Sequence, residues 1–388
     1  MGHSIPQQNH LRELQRFGQS LWLDDLRRGL FTSGKFGRLI AEDGLRGVTS
    51  NPSIFEKAIT GGEEYATALR EFDHRALTPT EAYEALAIHD IRTAADWLRP
   101  VYDGTQRADG FASLEVSPYV AHDTEATIKE ARRLWNAVHR ENLMIKVPAS
   151  KEGLDAIRQL TSEGINVNIT LLFDLERYEA VVRAYMDGLA AFIANGGDPT
   201  RVASVASMFV SRIDTALDHV ITTRISATRD PGARAQLTDL LGQVAIANAK
   251  LAYQRYLSFC RTAEWQALAA KGARPQRLLW ASTSTKNPQY RDVRYVEDLI
   301  GRDTITTLTL ATMAAFREHG RPTASLASHV DEAHRVMEAL KRYDISLAAA
   351  TDQLLEDGIL QFCRALDRLL ASVRHLSSAA HSDQYVKE

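Results

Sequence analysis

Cysteine is scarce in this 388-residue chain: Cys260 and Cys363 stand far apart and form no CxxC or Cys/His cluster. That spacing supports neither a disulfide framework nor a thiolate zinc site, and it suits two free thiols in a reducing compartment. Charge of one sign is lacking too, since 46 Lys+Arg oppose 49 Asp+Glu for a net charge of −3. Without a basic excess, a non-specific nucleic-acid binder is not expected. Long apolar runs are missing as well. The uncharged stretch 304–316 is rich in threonine and falls short of the ~20 apolar residues a membrane span requires. The first residues are polar and show no signal-peptide core, so a cytoplasmic protein without a membrane partner is expected. No GxGxxG or GxxxxGK[ST] occurs, which argues against a nucleotide-fingerprint enzyme. His89, His122 and His139 are scattered without ligand spacing, so neither a metal nor another cofactor is expected.

What is present is an ordinary globular balance, 45% apolar and 24% charged residues, long enough for a large core. Short β-branched and aliphatic runs alternate with segments of helical periodicity. Strands are expected at 20–24, 47–51, 111–117, 143–148, 165–171, 202–210, 277–283 and 304–309. Strand–helix alternation implies a parallel sheet covered by helices. Doubly wound sheets share that signature, and a count of eight favours a closed (β/α)8 barrel of the α/β class. No Pro- or Ser-rich linker and no repeat divides the chain. One elaborated domain over 1–388 is therefore expected, with a leader helix at 1–19, helical insertions at 56–110 and 211–276, and a frayed tail at 377–388.

Helix signals are clearer. Ser53 and Glu56 form a capping-box pattern after Asn51-Pro52, Asp123 precedes a helix over 124–139, and Ser328 with Asp331 precedes one running to about 341. The stretch 226–236, with Asp230-Pro231-Gly232, reads as loose. Leu360, Cys363, Leu366, Leu370 and Val373 form an apolar stripe expected to pack a final helix on the barrel.

In a parallel barrel, reactive groups gather at the carboxyl ends of strands. Within Leu143-Met144-Ile145-Lys146-Val147-Pro148, alternation sets Lys146 opposite Ile145 and Val147, and so toward the barrel interior. An ammonium buried in low dielectric tends to shed its proton, and a neutral amine is what Schiff-base formation with a ketone requires. A strand-end lysine reaching solvent is the structural alternative. Neighbouring strands favour the chemical one. Asp24 ends the first strand, Asn51 the second, and Glu115 lies on the third. Asn166, Asn168 and Thr170 alternate along the fifth, Ser207 is late in the sixth, and Arg212 follows it. Each of these polar groups would need a partner in a core that could have been apolar. The match Asn168-Ile169-Thr170 to a glycosylation sequon falls on an expected interior strand and is accidental.

These segments resemble the transaldolase family. Gly47-Val48-Thr49-Ser50-Asn51-Pro52-Ser53 is similar to its T-[ST]-N-P-S signature, and 143–150 resembles its Schiff-base lysine segment. Residues 164–173, Ser207-Met208-Phe209-Val210-Ser211-Arg212 and the final helix follow in order, so the likeness spans about 21–373. The length and the segment 280–286 look like the longer bacterial branch. The resemblance implies a (β/α)8 barrel. It also implies reversible transfer of a dihydroxyacetone unit between sugar phosphates in the pentose phosphate pathway, without metal or cofactor. By the same resemblance Lys146 attacks the donor C2 carbonyl, and Glu115 shuttles protons through a water shared with Thr170. Asp24 takes the C4 hydroxyl proton, and Asn51, Asn168 and Ser207 hold the retained hydroxyls. Thr49 and Asn166 have only a supporting role, and Arg212 binds phosphate. Many members place a second arginine after the seventh strand. Here Lys286 stands a little further along and offers a point charge rather than a planar fork.

Two alternatives stay open. One is a simple Schiff-base aldolase releasing free dihydroxyacetone; the other is an inactive barrel retained for binding. The oligomeric state is a monomer or a homodimer, with sugar phosphates as the expected partners.

Overall fold

A computed structural model describes residues 9–61 and 63–382. Eight parallel strands close into a barrel in sequence order. They are β1 (Gln19–Leu23), β2 (Leu45–Thr49), β3 (Phe111–Glu115), β4 (Leu143–Pro148), β5 (Val167–Leu172), β6 (Ser204–Phe209), β7 (Arg277–Ala281) and β8 (Thr304–Leu308). Each coincides with an expected strand to within two residues, and β2, β3 and β7 end two residues early at their carboxyl ends. Apart from the rim residues Arg46 and Arg277, every strand position is buried, as a sheet enclosed by helices and filled by its own side chains requires.

Inside, Trp22 fills the lower barrel, with its indole N–H donated to Asp109 at 2.8 Å. Gly47 faces that ring, and a Cβ there would lie 2.3 Å from it, so β2 can pass Trp22 only as glycine. Register then sets the height of the polar residues. Glu115 pairs with Lys146 across β3–β4, and Lys146 pairs with Asn168 across β4–β5. On β5, Ile169 pairs with Ala206 but Leu172 pairs with Met208, so three steps on β5 match two on β6. Leu171 sits in this bulge with φ +54°, directly after Thr170. Bulges of this kind re-aim side chains beside active sites.

The helices depart from expectation in instructive ways. The one over Pro52–Thr60 is capped by Asn51, whose Oδ1 accepts from Ile54 N at 3.0 Å, not by Ser53. Glu56, freed from a capping box, instead pairs with Arg368 of the final helix at 2.5 Å. Asp123 caps Thr124–Val138 as expected. The helix Val330–Arg342 has His329 at its N-cap in a left-handed conformation and no side-chain cap, so Ser328 and Asp331 do not supply one. The stretch expected to be loose contains a helix, Pro231–Thr238, capped by Asp230. Beside Ser211–Ala227, Val244–Phe259 and Ala263–Ala269 complete the interval between β6 and β7.

The final helix, Leu347–Ser382, lies against the barrel through Leu355, Ile359, Phe362, Leu366, Leu369 and Val373. Leu360 is exposed, and Cys363 and Leu370 are only partly buried, so the expected stripe was rotated toward solvent. Both faces share Leu366 and Val373. On the buried face Gly358 also approaches the barrel closely, where a Cβ would lie 2.7 Å from Leu171 Cδ2. At the other end, His10–Glu13 and Leu14–Phe17 are short helical turns; residues 1–8 of the expected leader and 383–388 of the expected frayed tail lie outside the described residues, while 377–382 of that tail continue the final helix.

Candidate active site

A cavity of about 240 Å³ opens at the carboxyl ends of the strands. Asp24, Asn51, Lys146, Ser207, Arg212 and Lys286 all line it, as expected from their positions at strand ends and in the following loops.

Lys146 is 4% exposed and points inward, as alternation along β4 requires. Its Nζ lies 3.4 Å from Glu115 Oε2 and 3.4 Å from the Ser50 carbonyl oxygen, to which it donates. Glu115 is also buried. Burial drives its carboxyl pKa up to about 7, against the opposing pull of Lys146. A carboxyl that titrates near neutrality can both give and take a proton at working pH. Neither Glu115 oxygen has a well-directed hydrogen bond, and Thr170 Oγ1 is buried without a partner. Such groups are expected to be satisfied when buried, so the interior beside Lys146 retains unused polar capacity.

Asn168 joins the site through a relay. Ser207 donates to Asn168 Oδ1 at 2.6 Å, and Asn168 Nδ2 donates to Ser113 Oγ at 3.0 Å. With both ends occupied, the amide orientation is fixed. Asn166, two residues earlier, is spent on structure: its Nδ2 donates to the Glu141 and Leu143 carbonyls, and its Oδ1 accepts from Ala203 N. Its expected supporting place at the site is thereby corrected. Thr49 does support the site, donating to Asp24 Oδ1 at 2.9 Å.

The mouth is cationic. Arg212, at the start of the helix Ser211–Ala227, lies 5.2 Å over the Phe209 ring, and burial lowers its pKa against the raising influence of Asp24 and Glu115. Lys286 donates to Ser284 Oγ at 2.6 Å. Lys286 is exposed as a residue, but crowding by surrounding atoms, then the charges of Arg212 and Lys57, lower its pKa. Lys57, on the helix Pro52–Thr60, lines the same cavity and was not foreseen. Asn51, Ile54 and Lys57 follow one another at intervals of three and all line the cavity, a spacing that could have suggested it. Phe362 of the final helix closes one wall and was likewise missed. No group of His, Cys, Asp or Glu able to hold a metal occurs among the described residues.

Comparison with known proteins agrees with this geometry. A transaldolase/fructose-6-phosphate aldolase family model matches residues 21–373. A transaldolase of Thiobacillus denitrificans is 47% identical over 365 residues, covering 94% of this chain and 99% of the relative. Transaldolase 2 of Nostoc sp. is 46% identical over 368 residues, covering 94% and 97%. A transaldolase of Thermobifida fusca is 43% identical over 373 residues, covering 96% and 99%. With a lysine–carboxylate pair inside a closed barrel and likeness along nearly its whole length, the chain belongs to the transaldolase/fructose-6-phosphate aldolase family and is an enzyme of the transaldolase type.

Proposed function

We propose that the enzyme moves a dihydroxyacetone unit from sedoheptulose 7-phosphate to glyceraldehyde 3-phosphate, giving erythrose 4-phosphate and fructose 6-phosphate. The observation that carries this reading is the buried Lys146–Glu115 pair, 3.4 Å apart, with Lys146 lining a polar cavity. The Lys146 amine adds to the ketose C2 carbonyl. Glu115 protonates the carbinolamine hydroxyl through a water that Thr170 also holds, water leaves, and an iminium forms. Support for that water comes from the unpartnered oxygens of Glu115 and Thr170.

Asp24 then takes the proton of the C4 hydroxyl. The C3–C4 bond breaks, its electron pair moves into the iminium, and the aldose leaves while a neutral enamine stays on Lys146. Thr49 keeps Asp24 aimed. Asn51, Asn168 and Ser207 hold the hydroxyls of the retained unit, with the relay to Ser113 fixing the asparagine amide. Arg212 and Lys286 bind the phosphate, and Lys57 adds a third positive charge at the same mouth. The incoming aldehyde is attacked by the enamine carbon, and the steps run backward to release product. A walled pocket limits stray protonation of the enamine, which transfer demands.

On this reading the protein works in the cytoplasm as a monomer or homodimer, with no nucleic-acid or membrane partner. Its near-neutral charge supports that, and no helix among the described residues is long and apolar enough to cross a membrane. The test is acceptor dependence. Fructose 6-phosphate should be turned over rapidly only when erythrose 4-phosphate is supplied. Release of free dihydroxyacetone at a comparable rate without acceptor would favour the simple aldolase.

A further inference from the structure

We propose that the amino-terminal end of the barrel holds a second anion site, built from Arg107, Arg274 and Arg277 and suited to a small phosphate-bearing molecule. A separate cavity of about 300 Å³ opens there, among the first residues of β3, β6 and β7 and the inward-facing Met144 of β4. It lies two positions below Lys146 on β4, at the end of the barrel opposite the catalytic cavity. Three arginines line it, with Tyr256 and Ser204, against a single carboxylate, Asp303. Asp303 is exposed and lies 3.6 Å from Arg302.

The arginines differ in how they are compensated. Arg277 is tied into the fold, donating to Ala108 O at 2.7 Å and Ser20 Oγ at 3.0 Å, and pairing with Asp109 at 3.3 Å. Arg274 lines the cavity and donates to the Gln106 carbonyl, but it reaches no carboxylate among the described residues. Arg107 likewise has no ion pair among the described residues. Elsewhere, arginines of similar or greater exposure find acids readily, as Arg132 does with Glu163 and Arg133 with Glu84. Both Arg107 and Arg274 are partly buried, and like charges brought together in a concavity repel. Burial and the charges of Arg107 and Arg277 bear on Arg274 in that sense. An anion between them removes the repulsion, and planar guanidinium forks match phosphate oxygens in pairs. The small volume limits the occupant to inorganic phosphate or a sugar phosphate.

Arginine-directed labelling with phenylglyoxal, read peptide by peptide by mass spectrometry, tests the site in the intact enzyme. Labelling is compared in potassium phosphate, in fructose 6-phosphate, and in potassium chloride of equal ionic strength. Arg107 and Arg274 should be labelled several-fold more slowly with phosphate than with chloride. Protection by fructose 6-phosphate alone assigns the site to the sugar ester; protection by both assigns it to the phosphate group. Arg212 reports the catalytic cavity independently, so the fate of one site does not decide the other. In a second measurement, the R107S/R274S double variant should bind one phosphate fewer per chain in equilibrium dialysis, with its turnover retained. Equal labelling of Arg107 and Arg274 in all three solutions, or unchanged phosphate stoichiometry in the folded variant, overturns the proposal.

Discussion

The Nζ of Lys146 lies 3.4 Å from Oε2 of Glu115, and both residues are more than nine-tenths buried. The carboxyl is therefore placed to take and return protons as the amine adds to a carbonyl. Below neutrality that carboxyl already holds a proton and cannot act as the base. With Glu115 raised to about 7 by burial, kcat/KM should climb with pH through about 7. In Glu115→Gln that acidic limb should vanish and kcat should fall by about 10²–10⁴-fold, the usual contribution of a general acid–base group. A limb near 7 that persists in the variant assigns it to another group.

Lys286→Ala should raise KM for phosphorylated sugars more than it lowers turnover. A hydrogen bond to a charged group contributes about 1.5–3 kcal/mol, so a rise of about tenfold or more is expected. Lys57→Ala should act in the same direction, because Lys57 lines the same mouth. Equal effects on fructose 6-phosphate and on unphosphorylated fructose would remove both lysines from phosphate binding.

Ser113→Ala isolates the relay. It leaves Asn168 Nδ2 buried without its acceptor, at a penalty of about 1–3 kcal/mol. Substrate binding and turnover should both weaken, while Ser113→Thr, which keeps the hydroxyl, should restore much of the loss. Wild-type kinetics in Ser113→Ala would show that the relay does not orient Asn168.

How much of this was legible in the sequence depended on the range of the interaction. Strand position and inward direction follow from local pattern, which is why all eight strands and Lys146 emerge from alternation alone. Caps depend on which of several adjacent polar residues reaches an N–H, and Asn51 outcompeted Ser53 by one short contact. The final helix carries two apolar stripes offset by one residue, and the one that packs is the one with Ile359, Phe362 and Leu369. Ser113 and Phe362 were invisible because their roles arise from strand register and from a helix folded back across the barrel. Asn166 alternated correctly along β5, yet lies one layer too low and serves the backbone.

Gly358→Ala probes that helix contact. Helix propensity alone would stabilise by about 1 kcal/mol. The new Cβ, 2.7 Å from Leu171, overpacks a filled site at about 1–3 kcal/mol. Thermal unfolding should therefore show net destabilisation, with kcat reduced because Leu171 adjoins Thr170. A more stable, fully active variant would mean that the helix does not press on the β5 bulge.

The most direct measurement is borohydride reduction in the presence of fructose 6-phosphate, followed by peptide mass spectrometry. A reduced sugar adduct on Lys146, absent from Lys146→Met, is the expected result. An adduct on a different lysine, or none while turnover proceeds, contradicts the mechanism.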